Sequence, residues 1–72
     1  MVEVKFIGFI AEKMGTREMK ISMVQPMKLK NILKVELSQD STIVLINQKR
    51  GTLDSLIKNE DKVILMPIVS GG

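Results

Sequence analysis

The sequence predicts a single small α+β domain in which short strands form one sheet and one helix packs across it. Three observations support this fold class. Two N-terminal segments alternate apolar and polar residues, an apolar stripe at helical spacing follows, and two apolar runs occupy the second half. The 72 residues leave room for one core only. Apolar residues make up 44% of the chain, which is typical of a folded globule.

The first two strands are predicted from a period of two. In residues 2–6, the two valines and the phenylalanine share one face, and Glu3 and Lys5 share the other. Residues 18–23 alternate in the same way. Between them, residues 9–14 precede Gly15, which predicts a helical turn with a glycine C-cap. We expect the two strands to pair as an antiparallel hairpin with a wide, partly helical connection.

The main helix is predicted to begin at Pro26, because a proline at the first helical position loses no needed N–H group. The apolar residues that follow recur at spacings of three and four: Leu29, Ile32, Leu33 and Leu37. Such spacing places them on one stripe of a helix. We therefore expect the helix to continue to about residues 38–40.

The second half of the chain predicts two further strands. Residues 43–46 are apolar and rich in β-branched side chains, which predicts a strand buried on both faces. Residues 47–51 are interpreted as a polar turn. After it we expect a short loop or a one-turn helix whose apolar side chains fill the end of the core, and these are Leu53, Leu56 and Ile57.

The last strand is predicted over residues 63–69. Pro67 lies near its end, which favours an edge strand or a chain that leaves the sheet, because proline cannot donate to a ladder. In the polar turn before this strand, Asn59 is expected to take a positive-φ position.

The order of elements is strand, strand, helix, strand, short helix or loop, and strand. This order predicts the β-grasp (ubiquitin-like) fold, a small mixed sheet with one main helix packed across one face. We expect the β-grasp domain to cover residues 1–69. Residues 70–72 would then form a flexible C-terminal Ser-Gly-Gly tail.

The composition excludes several classes of function. The chain contains no cysteine and no histidine, so it has no thiol nucleophile, no imidazole base and none of the usual zinc ligands. We expect no metal site. A net charge of +3 and an aromatic content of 3% make nucleic-acid binding an unfavoured function. No apolar run approaches the roughly 18 residues of a membrane span, and no signal peptide is predicted, so we expect a cytoplasmic protein without a membrane partner.

The chemistry is predicted to reside in the C-terminal tail. By chance a chain ends in two glycines about once in 200 cases, but such a pair after a ubiquitin-like final strand is much rarer. A terminal carboxylate has a pKa of about 3.5, so at pH 7 it must be activated before it can react, for example as a mixed anhydride with AMP. Glycines without Cβ atoms can thread a narrow channel. Pro67 and Ser70 are expected to detach the tail from the sheet.

The C-terminal segment resembles a known family. Residues 61–72, DKVILMPIVSGG, resemble the end of the small subunit of molybdopterin synthase and its sulfur-carrier relatives, the MoaD/ThiS type. Those chains typically end with an acidic turn, an apolar strand, a proline and Gly-Gly. Residues 4–8 and 11–16 resemble the first strand and the short insert of that subunit. Thiamine-pathway carriers usually lack the insert, so the resemblance favours the molybdopterin branch.

The resemblance implies a sulfur carrier and not an enzyme. An ATP-dependent activating enzyme would adenylate the carboxylate of Gly72, and sulfur from a donor such as a desulfurase would replace AMP to give a thiocarboxylate. The tail would then enter a large synthase subunit. ATP would be used by the activating enzyme, and no permanently bound cofactor is expected. Gly71, Ser70, Val69 and Pro67 would thread and position the tail, and Met66 and Ile68 would contact the partner.

Three other functions remain open on the sequence. A ubiquitin-like protein modifier would use the same activated Gly72 to form isopeptide bonds with lysines. The sulfur acceptor could also belong to thiamine synthesis or to tRNA thiolation. A passive β-grasp interaction module would not need the tail at all. Separately, Met14, Met19, Met23, Met27 and Met66 are candidates for an adaptable binding surface, although alternation with polar residues favours a core position for Met19 and Met23.

Overall fold

The protein is described by a computed structural model that covers residues 1–33 and 35–68. Seven strands, two short α-helices and one 3-10 helix are present in these ranges. In chain order they are β1 (Val2–Phe6), α1 (Phe9–Met14), β2 (Glu18–Ile21), β3 (Met27–Lys28), α2 (Leu29–Ile32), the 3-10 helix (Gln39–Ser41), β4 (Thr42–Ile46), β5 (Lys49–Gly51), β6 (Leu56–Ile57) and β7 (Lys62–Pro67).

The main sheet has five strands in the order β2-β1-β7-β4-β5. β1 pairs antiparallel with β2 and parallel with β7, and β4 pairs antiparallel with both β7 and β5. The strands β3 and β6 form a separate antiparallel pair. The predicted N-terminal hairpin is confirmed, since α1 connects β1 to β2 and ends at Gly15 with φ 77°. The predicted small mixed sheet is confirmed as well.

The core lies on one face of the sheet. Alternation in β1 directs Val2, Val4 and Phe6 inward, where each is at most 2% exposed. Side chains from both helices and from the connections complete the core, and these are Ile10, Met23, Leu29, Leu33, Leu53 and Ile57, together with Val44, Val63 and Leu65 from the central strands. Among the described ranges, no helix is long and apolar enough to span a bilayer.

The main helix is much shorter than the sequence predicts. α2 ends after Ile32, because Leu33 has an extended backbone with φ −79° and ψ 135°. Leu33 is nonetheless buried, and Leu37 packs against the core from outside any helix. Short helices are stabilised mainly by packing of their apolar face. Here only the first part of the predicted apolar stripe is helical. Leu33 and Leu37 still pack in or against the core, but from non-helical backbone.

The start of α2 also differs from the prediction. Pro26 precedes the helix, because residues 27–28 pair with β6 before the helix begins. The first backbone N–H groups of α2 find acceptors outside the helix. The N–H of Leu29 donates to the carbonyl of Ser55, and the N–H of Lys30 donates to the carbonyl of Leu53, each at 2.9 Å. These bonds replace the N-terminal cap that a short helix otherwise needs.

The segment that was expected to plug the core does so only in part. Leu53 and Ile57 are buried, but Leu56 is 65% exposed. The reason is that Leu56 and Ile57 form the strand β6 and not a helical turn, so their side chains point to opposite sides. One of the two must therefore face away from the core.

The predicted polar turn over residues 47–51 contains a strand. Asn47 and Gln48 both have positive φ, 52° and 71°, which is the requirement of a tight hairpin turn of type I′. The turn leads directly into β5, whose residue Gly51 pairs with Val44. The sequence predicts the turn but does not predict that residues 49–51 form a strand paired with β4.

The turn before β7 places Glu60, and not Asn59, at positive φ (76°). Asn59 has a different role, because its side chain makes two hydrogen bonds with the backbone of Met23. Its Nδ2 donates to the carbonyl of Met23 at 2.6 Å, and its Oδ1 accepts from the Met23 N–H at 3.0 Å. The side-chain amide of Asn59 therefore fixes the backbone of Met23, in the segment that follows β2.

Candidate functional site

The residues predicted to carry the function lie at the end of β7 and beyond it. Met66 and Pro67 are the last two residues of this strand, and Ile68 follows. We call these three residues the tail base. The predicted acceptor Gly72 and the predicted tail residues Val69, Ser70 and Gly71 lie outside the described residues.

Pro67 ends the central strand of the sheet, but its β1 side has no partner strand, so the predicted edge applies to this end of β7 and not to the whole strand. Proline is tolerated here because β1 pairs with β7 only as far as Phe6 opposite Leu65. The last bond on that side joins the N–H of Ile7 to the carbonyl of Leu65 at 2.9 Å. Pro67 stands beyond the end of β1, where the ladder requires no N–H donor from it.

Gly8 lies directly against the ring of Pro67. Its backbone has φ 62° and ψ −141°, a combination that is essentially restricted to glycine. A Cβ atom built on Gly8 would stand 3.3 Å from Cγ of Pro67, which is closer than ordinary contact. Gly8 therefore turns the chain out of β1 and at the same time leaves room for the proline ring. The sequence identifies Gly8 as a strand end but gives no sign of this contact.

The chain stays attached to the sheet for one residue after Pro67. The N–H of Ile68 donates to the carbonyl of Ser41 at 3.0 Å, which continues the pairing of Thr42 with Pro67 by one step. The chain is thus held to the sheet as far as Ile68, and the predicted detachment of residues 70–72 lies outside the described residues. The tail base is held from two sides, by Gly8 and by Ser41.

Exposed apolar side chains occur in the tail base and beside Gly8, which it contacts. Ile68 is 43% exposed, and the two residues that flank Gly8 are also exposed, Ile7 at 48% and Phe9 at 57%. Exposed large apolar side chains in one region are typical of a protein–protein contact. The sequence predicts Ile68 as a partner contact but gives no reason to group Ile7 and Phe9 with it, because the parallel pairing of β1 with β7 brings the residues around Gly8 to this end of the sheet.

A second group of apolar side chains lies on the face of the sheet opposite the core. Ile43 is paired with Met66, and Leu45 with Ile64. All four are half-buried and none is among the residues packed against the core. We call them the outer patch. The prediction that residues 43–46 are buried on both faces is wrong, because only Val44 is fully buried and no described element covers the outer face.

Cations border the outer patch on both sides. The register places Lys5 of β1 beside Ile64, and Arg50 of β5 beside Leu45. On the far side of Lys5 stands Glu18 of the edge strand β2, so one row across the sheet reads Glu18, Lys5, Ile64, Leu45 and Arg50. Both cations are exposed, and neither forms an ion pair within the described part of the chain. The outer patch therefore fits a partner surface with an apolar centre and acidic margins.

The carboxyl groups with shifted pKa values lie away from the tail base. The Lys30 ammonium, 2.9 Å from the carboxylate of Asp54, donates a hydrogen bond that lowers the pKa of Asp54. The N-terminal amine lowers the pKa of Glu60 in the same way. Both are exposed ion pairs, so the shifts reflect local pairing. Residues 1–33 and 35–68 also bring together no group of acidic, histidine or cysteine side chains that could hold a metal ion.

Comparison with solved structures identifies the fold. The crystal structure of SAMP1 from Haloferax volcanii is similar to this chain with a TM-score of 0.75 and 24% identity, covering 99% of this chain and 98% of that one. The chain has the β-grasp, ubiquitin-like fold. A Pyrococcus furiosus protein assigned as molybdopterin converting factor, subunit 1, is also similar, with a TM-score of 0.71, 19% identity and coverage of 94% and 97%.

A third β-grasp structure belongs to the same group of neighbours. It is the solution structure of the small archaeal modifier protein 1 from Methanosarcina acetivorans, with a TM-score of 0.63, 24% identity and coverage of 99% and 95%. No family model and no curated protein sequence matches this β-grasp chain. The predicted resemblance to ubiquitin-like proteins of the MoaD/ThiS type is confirmed by these neighbours at the level of the fold.

Proposed function

We propose that this β-grasp chain is a cytoplasmic sulfur carrier, activated at the carboxylate of Gly72, that donates sulfur in molybdopterin (molybdenum or tungsten cofactor) biosynthesis. The observation that carries the proposal is the position of β7. The central strand of a ubiquitin-like fold continues in sequence into Val69-Ser70-Gly71-Gly72. Sulfur-carrier chemistry needs a reactive carboxyl terminus that extends from a rigid domain into a partner.

The proposed chemistry proceeds in two substitutions and a release step. A carboxylate oxygen of Gly72 attacks the α-phosphorus of ATP on an activating enzyme, and pyrophosphate leaves. In the second substitution, the terminal sulfur of a persulfide on a donor such as a desulfurase attacks the acyl carbon and AMP leaves, which gives an acyl disulfide. A thiol reductant then attacks the donor sulfur of this S–S bond, so that the thiocarboxylate leaves and a disulfide forms between the thiol and the donor. The carrier contributes the acyl group, while the activating enzyme supplies acid–base groups. This division suits a chain without histidine or cysteine.

The tail base supports the proposal because its position is fixed. Contact of Pro67 with Gly8 and the bond from Ile68 to Ser41 hold the chain in place as far as Ile68. A fixed position of the residues before the tail reduces the entropy that is lost when a short tail enters a narrow channel. Gly71 and Gly72, which carry no Cβ atoms, can follow a channel that is too narrow for larger residues.

The outer patch is proposed to contact the activating enzyme and a large synthase subunit. It contains Met66 of the tail base, so a partner seated on it would lie next to the point from which the tail extends. The methionine side chain can repack against more than one apolar surface, which suits a carrier that meets two partners in turn. Lys5 and Arg50 would then face acidic residues of each partner.

A protein modifier is the second candidate function. Two of the similar structures are small archaeal modifier proteins by name. A modifier would use the same activated Gly72, with a lysine amine of a target protein as the nucleophile and an isopeptide bond as the product. Carriers for thiamine synthesis or tRNA thiolation would differ only in the acceptor of the sulfur.

Mass spectrometry of the chain from its own source distinguishes these functions. The carrier predicts an intact-mass fraction in which one oxygen is replaced by sulfur, and this fraction should revert on hydrolysis. Deletion of Gly72 should abolish it while the amide NMR spectrum of residues 1–66 stays unchanged. Gly-Gly remnants on lysines of other proteins, without the sulfur-bearing fraction, would favour the modifier. Sulfur loading of the deletion variant would contradict both functions.

A further inference from the structure

A groove on the inner side of the sheet is open along the edge strand β2. It has a volume of about 940 Å³. Its walls come from the end of α1, from β2 and the segment that follows, and from α2. The apolar side chains that line it include Met14, Met19, Ile21, Met23, Met27 and Ile32. We call it the methionine groove, because it brings together four of the six methionines of the chain.

The apolar lining of the groove is partly open to solvent. α2 ends after Ile32, where the backbone becomes extended, and Val35 beyond the helix also lines the groove. Met19 and Ile21 are half-buried, and Met27 is 39% exposed. The structure thus leaves apolar surface open beside the sheet edge, which is distinct from the outer patch on the opposite face.

The main chain of β2 is unpaired on its outer side. The N–H of Phe6 donates to the carbonyl of Arg17, and the register continues with Met19 opposite Val4. In an antiparallel pair, every second residue directs both backbone groups away from its neighbour. The N–H and carbonyl of Lys20 therefore point away from β1, toward the free edge.

The other outward-facing residue of β2 is already engaged. The hydroxyl of Thr16 donates to the carbonyl of Glu18 at 2.9 Å. Lys20 therefore offers the free donor and acceptor of this strand, and it lies directly beside the methionine groove. A free edge next to apolar pockets for alternate side chains is the geometry that binds an added strand.

We propose that the methionine groove and the edge at Lys20 bind an extended segment of a partner protein, as an added β-strand with apolar and acidic residues in alternation. Apolar side chains at every second position would enter the groove, where methionines can adapt to their shapes. Main-chain bonds to Lys20 would set the register. This site is independent of Gly72 and of the outer patch.

The charges near the groove favour acidic residues in the partner segment. Among the described residues that line the groove, Lys20 is the one with a charge, and its ammonium is only weakly paired, 3.9 Å from the carboxylate of Glu3. The exposed cations Lys13 and Arg17 adjoin the lining residues Met14 and Thr16 in the chain, and the described residues provide no ion pair for either. An acidic segment would gain from these cations at moderate salt.

A second copy of the chain fits the edge less well. Antiparallel pairing centred on Lys20 would place two lysines opposite each other, which is unfavourable. Pairing centred on Met19 would require the backbone of Glu18, whose carbonyl already accepts the Thr16 hydroxyl. These are the two symmetric registers that use most of β2, so a partner protein is the better occupant.

The test uses the full chain and a fluorescent peptide in which isoleucine alternates with aspartate. We expect saturable binding, with amide NMR shifts at Lys20 and methyl shifts at the groove methionines. Lys20→Pro removes the outward N–H without removing a bond to β1, and should weaken binding about tenfold or more. Lys20→Ala is the matched control, because it removes the charge but keeps the N–H. It should retain most of the affinity.

A second pair of variants tests the groove without altering the strand. Met27→Glu places a negative charge, the same sign as the peptide's aspartates, at an exposed position in the groove. This variant should also weaken binding about tenfold. Leu56→Glu adds the same charge at an exposed apolar residue outside the groove, and should leave the affinity unchanged. Equal binding by Lys20→Pro and Lys20→Ala would overturn the proposal. So would a peptide that does not bind, or a dimer that forms through this edge and excludes the peptide.

Discussion

The side-chain amide of Asn47 donates a hydrogen bond to the buried carboxylate of Asp61 at 2.9 Å. The second carboxylate oxygen of Asp61 accepts the N–H of Lys58 at 3.0 Å, and Oδ1 of Asn47 accepts the N–H of Lys62 at 3.0 Å. These bonds connect the β4–β5 turn to the start of β7. The strand that leads to the tail base is therefore anchored at its beginning by one buried acid.

Asp61→Ala should lower the free energy of unfolding by about 2–3 kcal/mol, because it leaves the Asn47 amide and the Lys58 N–H without their acceptor. Asp61→Asn keeps one acceptor oxygen and should cost about half as much. Urea denaturation followed by circular dichroism measures both. Asp40→Ala removes an exposed acid and serves as the control. A loss for Asp61→Ala no larger than that of the control would contradict the proposed anchor.

Gly8→Ala should be more costly than Gly15→Ala, although both glycines have positive φ. At Gly15 a Cβ atom would meet nothing within 4 Å. The substitution should therefore lower the free energy of unfolding only by the cost of a positive φ for alanine, about 1 kcal/mol. At Gly8 the backbone combination is stricter and the Cβ atom would press on Pro67, so we expect about 2–3 kcal/mol. Thermal and urea unfolding compare the two variants. Equal losses would mean that the contact with Pro67 is unimportant.

Met66→Glu should separate function from stability. Met66 lies on the outer face and does not pack against the core, so unfolding should change by less than about 1 kcal/mol. If the outer patch contacts the activating enzyme, ATP–pyrophosphate exchange with that enzyme should fall strongly, because a charge is placed in an apolar contact. Leu56→Glu, which is exposed elsewhere, should show normal exchange. Equal exchange rates for the two variants would exclude the outer patch as the docking site.

The sequence predicts those features of the fold that arise from local periodicity. The alternation in β1 identifies both its bounds and its inward face, and Gly15 identifies the end of α1. The length of α2 is not predictable in this way, because Leu33 and Leu37 satisfy a helical spacing and yet bury their side chains from non-helical backbone. Tertiary packing decides the length of so short a helix.

Local sequence patterns likewise do not predict the long-range contacts at the tail base. Gly8 and Pro67 are far apart in the chain, and only the parallel pairing of β1 with β7 brings them together. The same pairing explains why a proline can end a central strand. The apolar residues Ile7 and Phe9 become recognisable as neighbours of the tail base only after this pairing is known. The motif around Gly71 and Gly72, in contrast, is a property of the sequence itself.

Glu60→Gln should reduce stability at neutral pH but not in acid. The N-terminal amine of Met1 lies 2.8 Å from Glu60 Oε1 and lowers the pKa of this carboxyl below its ordinary value of 4.5. A carboxyl whose pKa is lower in the folded state stabilises the protein above its unfolded-state pKa, and this contribution disappears as the pH falls through the folded-state value. The variant and the wild type should therefore differ in stability above the ordinary carboxyl pKa of 4.5, and they should converge once the pH has fallen below the lowered folded-state pKa. The substitution leaves the positive φ of residue 60 in place, so that the difference reports the charge alone.

Urea unfolding across this pH range measures the difference in stability, with Glu12→Gln as an exposed control that has no ion pair in the described ranges. High salt should diminish the difference, because both partners are exposed. A difference that persists in acid would show that Glu60 acts through something other than its charge.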